Sequence, residues 1–285
     1  MTQAPPLQSP LASIPGYSIS STTNLLMDNG QIVSVNDIPA SREEPIFIAV
    51  AGGTASGKTT LCEAVIEYLK KHQIIGPQQH VVIVPQDSFY RNLTPQEAEM
   101  AEQSRFNFDH PDAFDFELLR QTLRDLKLNK PVKIPSYDFT TNARREGEYT
   151  LVKQADVIIL EGILALYDQE INRMMSVKLF VDCDSDMRLA RRVQRDTKER
   201  GRSIDSIIGQ YLTFVKPAYD DIISPTKRHA DIVILNGKEN KVAVSLICAQ
   251  IRQVLQERLY RTMSPSPLVG KDKLASPPLL LGGSS

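Results

Sequence analysis

Short apolar runs recur along the chain and are separated by longer stretches with helical patterns. The runs are IFIAVA (46–51), VVIVP (81–85), DVIIL (156–160), KLFVD (178–182) and DIVIL (231–235). Near-continuous β-branched runs of this length are typical of strands that are covered on both faces. The patterns between them predict helices at 58–72, 115–128, 185–200, 204–218 and 240–260. Strands that alternate with helices favour a five-stranded parallel sheet in a three-layer α/β domain.

Three segments depart from this alternation. Within 130–155, KPVKIPSYDF and GEYTLV have the pattern of two arms of a β-hairpin that projects from the sheet. Both ends of the chain are rich in Ser and Pro, and such segments bury too little apolar surface to offset the entropy of ordering. We therefore predict flexible tails at 1–44 and 261–285, either inert or regulatory, around one domain at 45–260.

Composition and charge narrow the class of protein. A chain of 285 residues with 41% hydrophobic content is able to build a sizeable core. Its formal charge of −1 provides no global basic field for nucleic acid, so any anion site must be built locally. The three cysteines lack framework spacing, which favours a reducing compartment over a secreted scaffold or a zinc site. We find no membrane-span run and no signal pattern, and we expect a soluble, cytoplasmic protein.

A glycine-rich stretch stands between the first predicted strand and the first predicted helix. It fits G-x-x-x-x-G-K-[ST], and its residues are Gly52, Gly53, Thr54, Ala55, Ser56, Gly57, Lys58, Thr59 and Thr60. Glycines let backbone N–H groups turn toward phosphate oxygens, and the helix adds the positive end of its dipole. Lys58 would reach the outer phosphates and the Thr59 hydroxyl would bind Mg²⁺. The stretch predicts a site for a nucleoside triphosphate, with ATP expected; a glycine-rich turn with an exposed lysine is the alternative.

Two acids follow predicted strands, at the sheet edge where α/β proteins place their ligands. Asp87, after the second strand, could accept the proton of an attacking hydroxyl or ligate Mg²⁺ through water. Its alternative role is to cap the following turn. Glu161 directly follows the third strand and is either a second magnesium-side carboxylate or an ordinary loop acid. We find no guanine-reading N-K-x-D element, so a small-molecule kinase fits better than a GTPase.

An arginine segment offers positive charge for a mobile lid. Its six arginines are Arg188, Arg191, Arg192, Arg195, Arg200 and Arg202. Arginine suits bidentate phosphate contact and stabilises charge on a transferring phosphoryl group. The alternative is a solvated helix face, and we expect Arg188 and Arg191 to be surface or salt-bridged residues.

Aromatic residues alternate with polar ones in two loop-like stretches, FNFDHPDAFD and IPSYDF. The aromatics Phe106, Phe108, Phe114, Tyr137 and Phe139 could provide flat faces for a nucleobase. Asp109 could grip a pair of hydroxyls, whereas His110, before a proline, is expected to be structural. The alternative for the aromatics is the hydrophobic core.

Together these segments resemble the uridine kinase family, also called uridine-cytidine kinase, over about residues 45–260. The matching stretches are GGTASGKTT, PQDSFYR, FNFDHPDAFD, IPSYDF, ADVIILEGILA, LFVDCDSDMRLARRVQRD, ERGR and YLTFVKPAY, in the family's order. The resemblance implies a P-loop NTPase fold and transfer of phosphate from ATP to the 5′-hydroxyl of uridine or cytidine, giving UMP and CMP in pyrimidine salvage. Relatives are often homotetramers, and several are inhibited by pyrimidine triphosphates, so the resemblance implies a homo-oligomer.

The resemblance also implies roles for single residues. It makes Asp87 the catalytic base and gives magnesium contacts to Thr59, Asp87 and Glu161. On the acceptor side, the family's ribose contacts match Asp109 and Arg192, its base contacts match Tyr137 and Phe139, and other substrate-pocket positions match Tyr90, Phe108 and Gln210. The lid and phosphate contacts match Arg195 and Arg200, with Arg202 on the substrate side. Glu239 matches an acid near the donor nucleotide. Asn142 stands where typical members carry a base-contacting histidine. Since an amide both donates and accepts, we predict activity on uridine and cytidine with altered preference.

Two rival functions stay open on the sequence. One is a kinase of the same fold that acts on pantothenate or ribulose phosphate, acceptors that would not need the aromatic set. The other is a nucleotide-dependent regulator without turnover, against which the retained Asp87, Glu161 and arginine segment argue.

Overall fold

A computed structural model describes residues 44–75, 80–235 and 240–263, of which 258–263 by backbone alone, together with three short strands nearer the N-terminus. The strands are β1 (Ile19–Ser21), β2 (Asn24–Leu26), β3 (Ile32–Ser34), β4 (Ile46–Gly52), β5 (Val81–Pro85), β6 (Val132–Asp138), β7 (Ala143–Val152), β8 (Val157–Glu161), β9 (Val177–Asp182) and β10 (Ile232–Leu235). The helices are α1 (Lys58–Lys71), α2 (Pro95–Glu102), α3 (Phe116–Lys127), α4 (Gln169–Met174), α5 (Ser185–Glu199), α6 (Ile204–Gln210), α7 (Lys216–Ala218) and α8 (Lys241–Met263).

The five predicted strands form one parallel sheet in the order β10-β9-β4-β8-β5. Alternate residues of the central strand β4 enter two separate hydrophobic clusters. Ile46 and Ile48 pack with Leu61 and Val65 of α1, on the face that α8 also covers. Phe47 enters the opposite cluster, with residues of α3. Because both faces of β4 are buried, this strand contains no polar side chain. The prediction of a three-layer α/β domain is confirmed.

The two predicted hairpin arms pair as an antiparallel ribbon, β6 with β7, from Val132↔Val152 to Asp138↔Ala143. Most of β7 is exposed. The ribbon is fastened to the domain by Arg144, whose Nη2 lies 3.3 Å from a carboxylate oxygen of Asp115, the N-cap residue of α3. The turn between the arms therefore has a fixed position beside the carboxyl ends of β5 and β8.

Helices α2 and α4 were absent from the sequence prediction. Helix α2 begins with a capping box, in which the Thr94 hydroxyl accepts a hydrogen bond from Glu97 N and the Glu97 carboxylate accepts one from Thr94 N. The sequence T-P-Q-E is the signature of such a start. Asp168 caps α4 by accepting from Ile171 N at 2.9 Å.

The helix predicted at 204–218 is wrong in its end and in its regularity. α6 is followed by a π-helical turn at Tyr211–Val215, the short α7, a second π-helical turn at Tyr219–Ile223 and a 3-10 helix at Ser224–His229. Pro217 lacks the N–H that a regular α-helix would use, which accounts for widened turns around it. The irregular helix leads directly into β10.

The terminal segments were predicted to be flexible tails, and that division of the chain stays a prediction. Strands β1 to β3 lie within 1–44 and pair antiparallel with one another. In the part of the chain that the structure describes, every helix is too short or too polar to cross a lipid bilayer.

Candidate active site

The carboxyl ends of β4, β5 and β8 open into a cleft of about 700 Å³. The glycine-rich loop, the hairpin and the arginine segment surround it. Of the described residues predicted for the site, all line this cleft except Gly52, Gly53 and Phe114. Glu239 lies outside the described residues. Parallel strands end at one edge, so residues far apart in sequence converge here.

Gly52 and Gly53 were predicted to contact the ligand, but they pack against β9, Arg188 and Tyr219 instead of lining the cleft. Gly52 has φ +147°, and a Cβ on it would collide with a backbone carbonyl of β9. A Cβ on Gly53 would collide with Arg188 Nη1 and the Tyr219 ring. Gly57, which precedes α1, has φ 97° and no capping side chain. The loop conformation therefore requires glycine at these points, and it leaves the N-terminus of α1 facing the cleft.

Lys58, Thr59 and Glu161 are connected by short contacts. Lys58 Nζ donates to Gly53 O at 3.0 Å and lies 3.9 Å from a carboxylate oxygen of Glu161. Thr59 Oγ1 donates to the other Glu161 oxygen at 3.0 Å. Burial lowers the pKa of Lys58, although Glu161 and Asp87 act against the shift. These three side chains place one ammonium group, one hydroxyl and one carboxylate at the start of α1.

Asp87 lies in a 3-10 turn, Gln86–Phe89, directly after β5. Pro85 is the N-cap of that turn, and within the described residues no side-chain hydrogen bond caps it, so the turn-capping alternative is wrong. Burial raises the pKa of Asp87, while Lys58, Arg200 and Arg195 lower it without cancelling the shift. Burial also raises the pKa of Glu161 and of Asp109. Several perturbed acids in one cleft are characteristic of an active site.

An aromatic cluster forms the other side of the cleft. Tyr90 contacts Phe108 and Tyr137 at ring-centroid distances of 5.7 and 5.0 Å, and Tyr137 contacts Phe139 at 5.4 Å. The Tyr137 hydroxyl is buried and has no hydrogen-bond partner within the described residues. Asp109 is 8% exposed at the edge of this cluster. An orphaned hydroxyl beside aromatic faces suits a planar polar ligand.

The remaining residues of the FNFDHPDAFD stretch have different roles. Phe106 lines the cleft, but Phe114 is buried behind Tyr90, with ring centroids 4.2 Å apart. The hypothesis that Phe114 contacts a ligand is wrong, since the packing turns it into the core. His110 Nδ1 accepts from Asp112 N at 3.2 Å, the structural role that we expected.

The arginine segment divides into a buried support and a cleft-facing set. Arg188 is 3% exposed, stacks on the Tyr219 ring at 3.6 Å and donates to Cys183 O, so its expected surface position is wrong. Arg191 is half-buried and lines the cleft. The other four arginines surround Asp196, which we had not singled out. The sequence did contain a signal for Asp196, because it lies four residues from Arg192 and four from Arg200, a spacing that brings side chains together on one helix face.

Gln86 is a second residue that the sequence prediction missed. It is fully buried, and its side-chain oxygen accepts from Leu164 N at 2.8 Å. A Cβ on Gly162 would collide with the Gln86 side chain. Gln86 therefore joins the turn that carries Asp87 to the loop that follows Glu161, and it fixes the distance between the two acids.

The residues present fit magnesium and a triphosphate. Thr59 and Glu161 provide adjacent oxygen atoms, and Asp87 lines the same cleft, after the strand that pairs with β8. Mg²⁺ is usually held by one or two carboxylates together with phosphate and water. Within the described residues there is no cluster of three or more His, Cys, Asp or Glu able to hold a metal ion by itself. Ser56 Oγ, in the glycine-rich loop, is buried and, among the described residues, has no hydrogen-bond partner.

Residues 47–243 match the Phosphoribulokinase / Uridine kinase family. The chain belongs to this family. It is 50% identical over 212 residues to uridine-cytidine kinase 2-B of Danio rerio, an alignment that covers 74% of this chain and 81% of that protein. It is 47% identical over 259 residues to uridine/cytidine kinase UKL1, chloroplastic, of Arabidopsis thaliana, covering 91% of this chain and 52% of that protein.

A solved structure supports the fold alone. The protein, provisionally named a fructose transport system kinase of Silicibacter sp. TM1040, aligns with a TM-score of 0.54 and 22% identity over 69% of this chain and 93% of its own. The resemblance that we drew from the sequence motifs, the P-loop kinase fold and the assignment to a family of kinases are thereby confirmed.

Proposed function

We propose that this protein transfers the γ-phosphoryl group of ATP to the 5′-hydroxyl of uridine and of cytidine. The observation that carries the proposal is that one cleft contains both a phosphate-binding loop and an aromatic pocket, with Asp87 close to both. Its charge acts on both sides: burial lowers the pKa of Lys58 and Asp87 opposes that shift, whereas burial and Asp87 both raise the pKa of Tyr137. The two relatives named uridine-cytidine and uridine/cytidine kinase support the choice of acceptor.

On the donor side, the loop N–H groups and Lys58 bind the triphosphate, and Arg195 and Arg200 approach its outer end. Thr59, Glu161 and Asp87 would hold Mg²⁺, which neutralises charge on the phosphates when bound. Lys58 must leave the Gly53 carbonyl to reach a phosphate oxygen. That hydrogen bond keeps the buried ammonium satisfied until ATP arrives.

On the acceptor side, the pocket residues orient the nucleoside. In this proposal Asp109 and Arg192 hold the ribose hydroxyls, and the base contacts come from Tyr90, Phe108, Tyr137, Phe139 and Asn142. Gln210 and Arg202 also line the substrate side of the cleft. The buried Tyr137 hydroxyl and the Asn142 amide supply the polar contacts that aromatic faces lack.

Asp87 acts as the general base. It accepts the proton of the 5′-hydroxyl as the oxygen attacks the γ-phosphorus. Burial raises the pKa of Asp87 and so makes the carboxylate a stronger proton acceptor, whereas Lys58, Arg200 and Arg195 favour its ionised form. Alignment and charge neutralisation provide most of the remaining rate enhancement, as is usual for phosphoryl transfer.

The experiment is a product assay with a panel of acceptors. Purified protein is incubated with MgATP and, separately, uridine, cytidine, pantothenate and ribulose 5-phosphate, and nucleotides are separated by chromatography. We expect ADP with equimolar UMP or CMP, and no product from the other two acceptors. Turnover of pantothenate or ribulose 5-phosphate would favour the first rival function, and ATP binding without any product would favour a regulator. The Lys58→Ala variant controls for contaminating kinases.

Assembly and location extend the proposal. We propose a cytoplasmic homotetramer in which 45–260 is the catalytic domain and Glu239 approaches the donor nucleotide, as the resemblance to uridine kinases implies. Sedimentation equilibrium tests the assembly: a single monomeric species across the micromolar range would contradict it. Microscopy of the tagged full chain tests the location, for which the Arabidopsis relative, named chloroplastic, offers the alternative.

A further inference from the structure

One buried carboxylate lies at the centre of the arginine segment. The Asp196 side chain is fully buried, and its contacts are Arg195 Nε to Oδ1 at 2.8 Å, Arg200 Nη1 to Oδ1 at 3.5 Å, Arg202 Nη1 to Oδ2 at 3.6 Å and Arg192 Nε to Oδ2 at 3.7 Å. Only the first is a good hydrogen bond, since contacts of 3.5 Å or more are too long for one. The other arginines are attracted to Asp196 and still keep donors free for a ligand.

The main chain of Asp196 holds the same arginines. Its carbonyl accepts from Arg200 N at 3.3 Å and from Arg202 N at 3.1 Å. Gly201, between them, has φ 64°, the conformation that closes the end of α5. One residue therefore fixes both the backbone path and the guanidinium positions of Arg200 and Arg202.

These arginines connect Asp196 to three walls of the cleft. Arg192 donates to the Thr54 hydroxyl of the phosphate loop at 3.3 Å, and its Nη2 lies 3.5 Å from the side-chain oxygen of Gln210 in α6. Arg202 donates to the same Gln210 oxygen at 3.2 Å. Arg200 lies over the Phe139 ring at the hairpin, 4.1 Å from its centroid. A shift of Asp196 would be transmitted to the loop, to α6 and to the hairpin.

The Asp196 carboxylate is needed to offset the positive charge of the four arginines around it. Four guanidinium groups and one carboxylate leave a local charge of 4 − 1 = +3. Burial and the neighbouring Arg195 lower the pKa of Arg200, which shows how crowded the positive charges are. Buried charges persist only when they are paired. Asp196 compensates enough charge to keep the arginines together and leaves an excess that suits a triphosphate.

We propose that Asp196 is a positioning residue for phosphoryl transfer, which holds Arg192, Arg195, Arg200 and Arg202 in the arrangement that receives the transferring group. Asp196 itself touches neither substrate. The inference rests on the proposed function, because the arginines act on the phosphoryl group that ATP donates.

Two variants separate charge from position. Asp196→Asn keeps the shape and removes the charge, whereas Asp196→Glu keeps the charge and displaces it by one methylene group. Asp205→Asn, on the exposed side of α6, is the matched control. For each protein we would measure kcat and KM for ATP and uridine, the melting temperature, and calorimetric affinity for a non-hydrolysable ATP analogue.

For Asp196→Asn we expect kcat to fall by about 10²-fold, the scale of a misplaced catalytic group, and affinity for the analogue to weaken by roughly tenfold. For Asp196→Glu we expect a melting temperature near wild type and a kcat that is lower by roughly tenfold. Should Asp196→Asn fail to fold, Asp196→Glu decides the question.

A lower melting temperature with wild-type kcat and wild-type affinity in the folded variants would reduce Asp196 to a structural ion pair and overturn the proposal. Failure of the Asp196 proposal can be distinguished from failure of the proposed function. If wild-type protein phosphorylated neither nucleoside, the acceptor assignment would fall, and affinity for the ATP analogue would still test Asp196 in the same variants.

Discussion

Replacing Asp87 by Asn removes the proposed base and leaves the shape of the cleft almost unchanged. Among the described residues that line the cleft, we find no other acid placed to replace it. Glu161 is engaged by Thr59 and Lys58. Asp109 lies on the pocket side, where burial raises its pKa and Arg192 is the main cation that opposes the shift. Glu63 and Glu199 are exposed. We therefore expect the full loss that accompanies removal of a general base, about 10²-fold or more in kcat, equivalent to at least ~2.7 kcal/mol in activation free energy.

The same substitution should stabilise the ligand-free fold. The pKa of Asp87 is raised by burial, and Lys58, Arg200 and Arg195 offset this only in part. A carboxyl group whose folded-state pKa is raised lowers stability at neutral pH, because folding disfavours the ionised form. Asparagine carries no charge to desolvate. The variant should thus melt at a higher temperature than wild type at pH 7.

Steady-state kinetics with uridine and differential scanning calorimetry test both parts. Asp109→Asn is the comparison within the cleft: as a change in nucleoside binding, it should raise KM for uridine more than it lowers kcat. Asp205→Asn, outside the cleft, should change neither property. A kcat near wild type for Asp87→Asn would refute the base assignment, and a lower melting temperature would refute the electrostatic reasoning.

Three further predictions test other parts of the site. Lys58→Ala should abolish ADP release, because the cation that reaches the outer phosphates is lost; preserved turnover would exclude the loop as the ATP site. Asn142→His should change the ratio of kcat/KM for uridine and cytidine, and an identical ratio would remove Asn142 from base recognition. Burial raises the pKa of Asp196, but Arg195, Arg200 and Arg192 outweigh it and hold the pKa below 3.8. The melting-temperature advantage of wild type over Asp196→Asn should therefore be complete at pH 7 and disappear as pH falls below 3.8, whereas a constant advantage would argue against an ionised Asp196.

Much of the fold was predictable because burial on both faces leaves a simple pattern. The five parallel strands begin and end within about one residue of the apolar runs, since a strand covered on both faces is almost continuously apolar. The glycine-rich loop was equally readable, because its function requires glycine at fixed spacing. The π-helical turns at 211–215 and 219–223 were not, since Pro217 indicates an interruption of the helix but does not show that the turns on both sides of it widen.

The sequence predicted which residues form the site better than it predicted which of them face the cleft. Phe108 and Phe114 stand in similar local sequence, yet one lines the cleft and the other packs in the core. Only the path of the loop between β5 and α3 decides between them. Arg188 likewise reads as part of a charged helix face, but stacking on Tyr219, thirty-one positions away in the chain (219 − 188), buries it. Contacts between distant segments are invisible to spacing rules.

The central claim is that one cleft aligns the end of a triphosphate with the 5′-hydroxyl of a pyrimidine nucleoside. A crystal structure with a non-hydrolysable ATP analogue, Mg²⁺ and uridine measures this directly. We expect the 5′-oxygen in line with the γ-phosphorus at roughly 3–3.5 Å, with the Asp87 carboxylate within hydrogen-bonding distance of that oxygen. Uridine bound in a separate cavity, or with its 5′-oxygen directed away from the phosphates, would contradict the account.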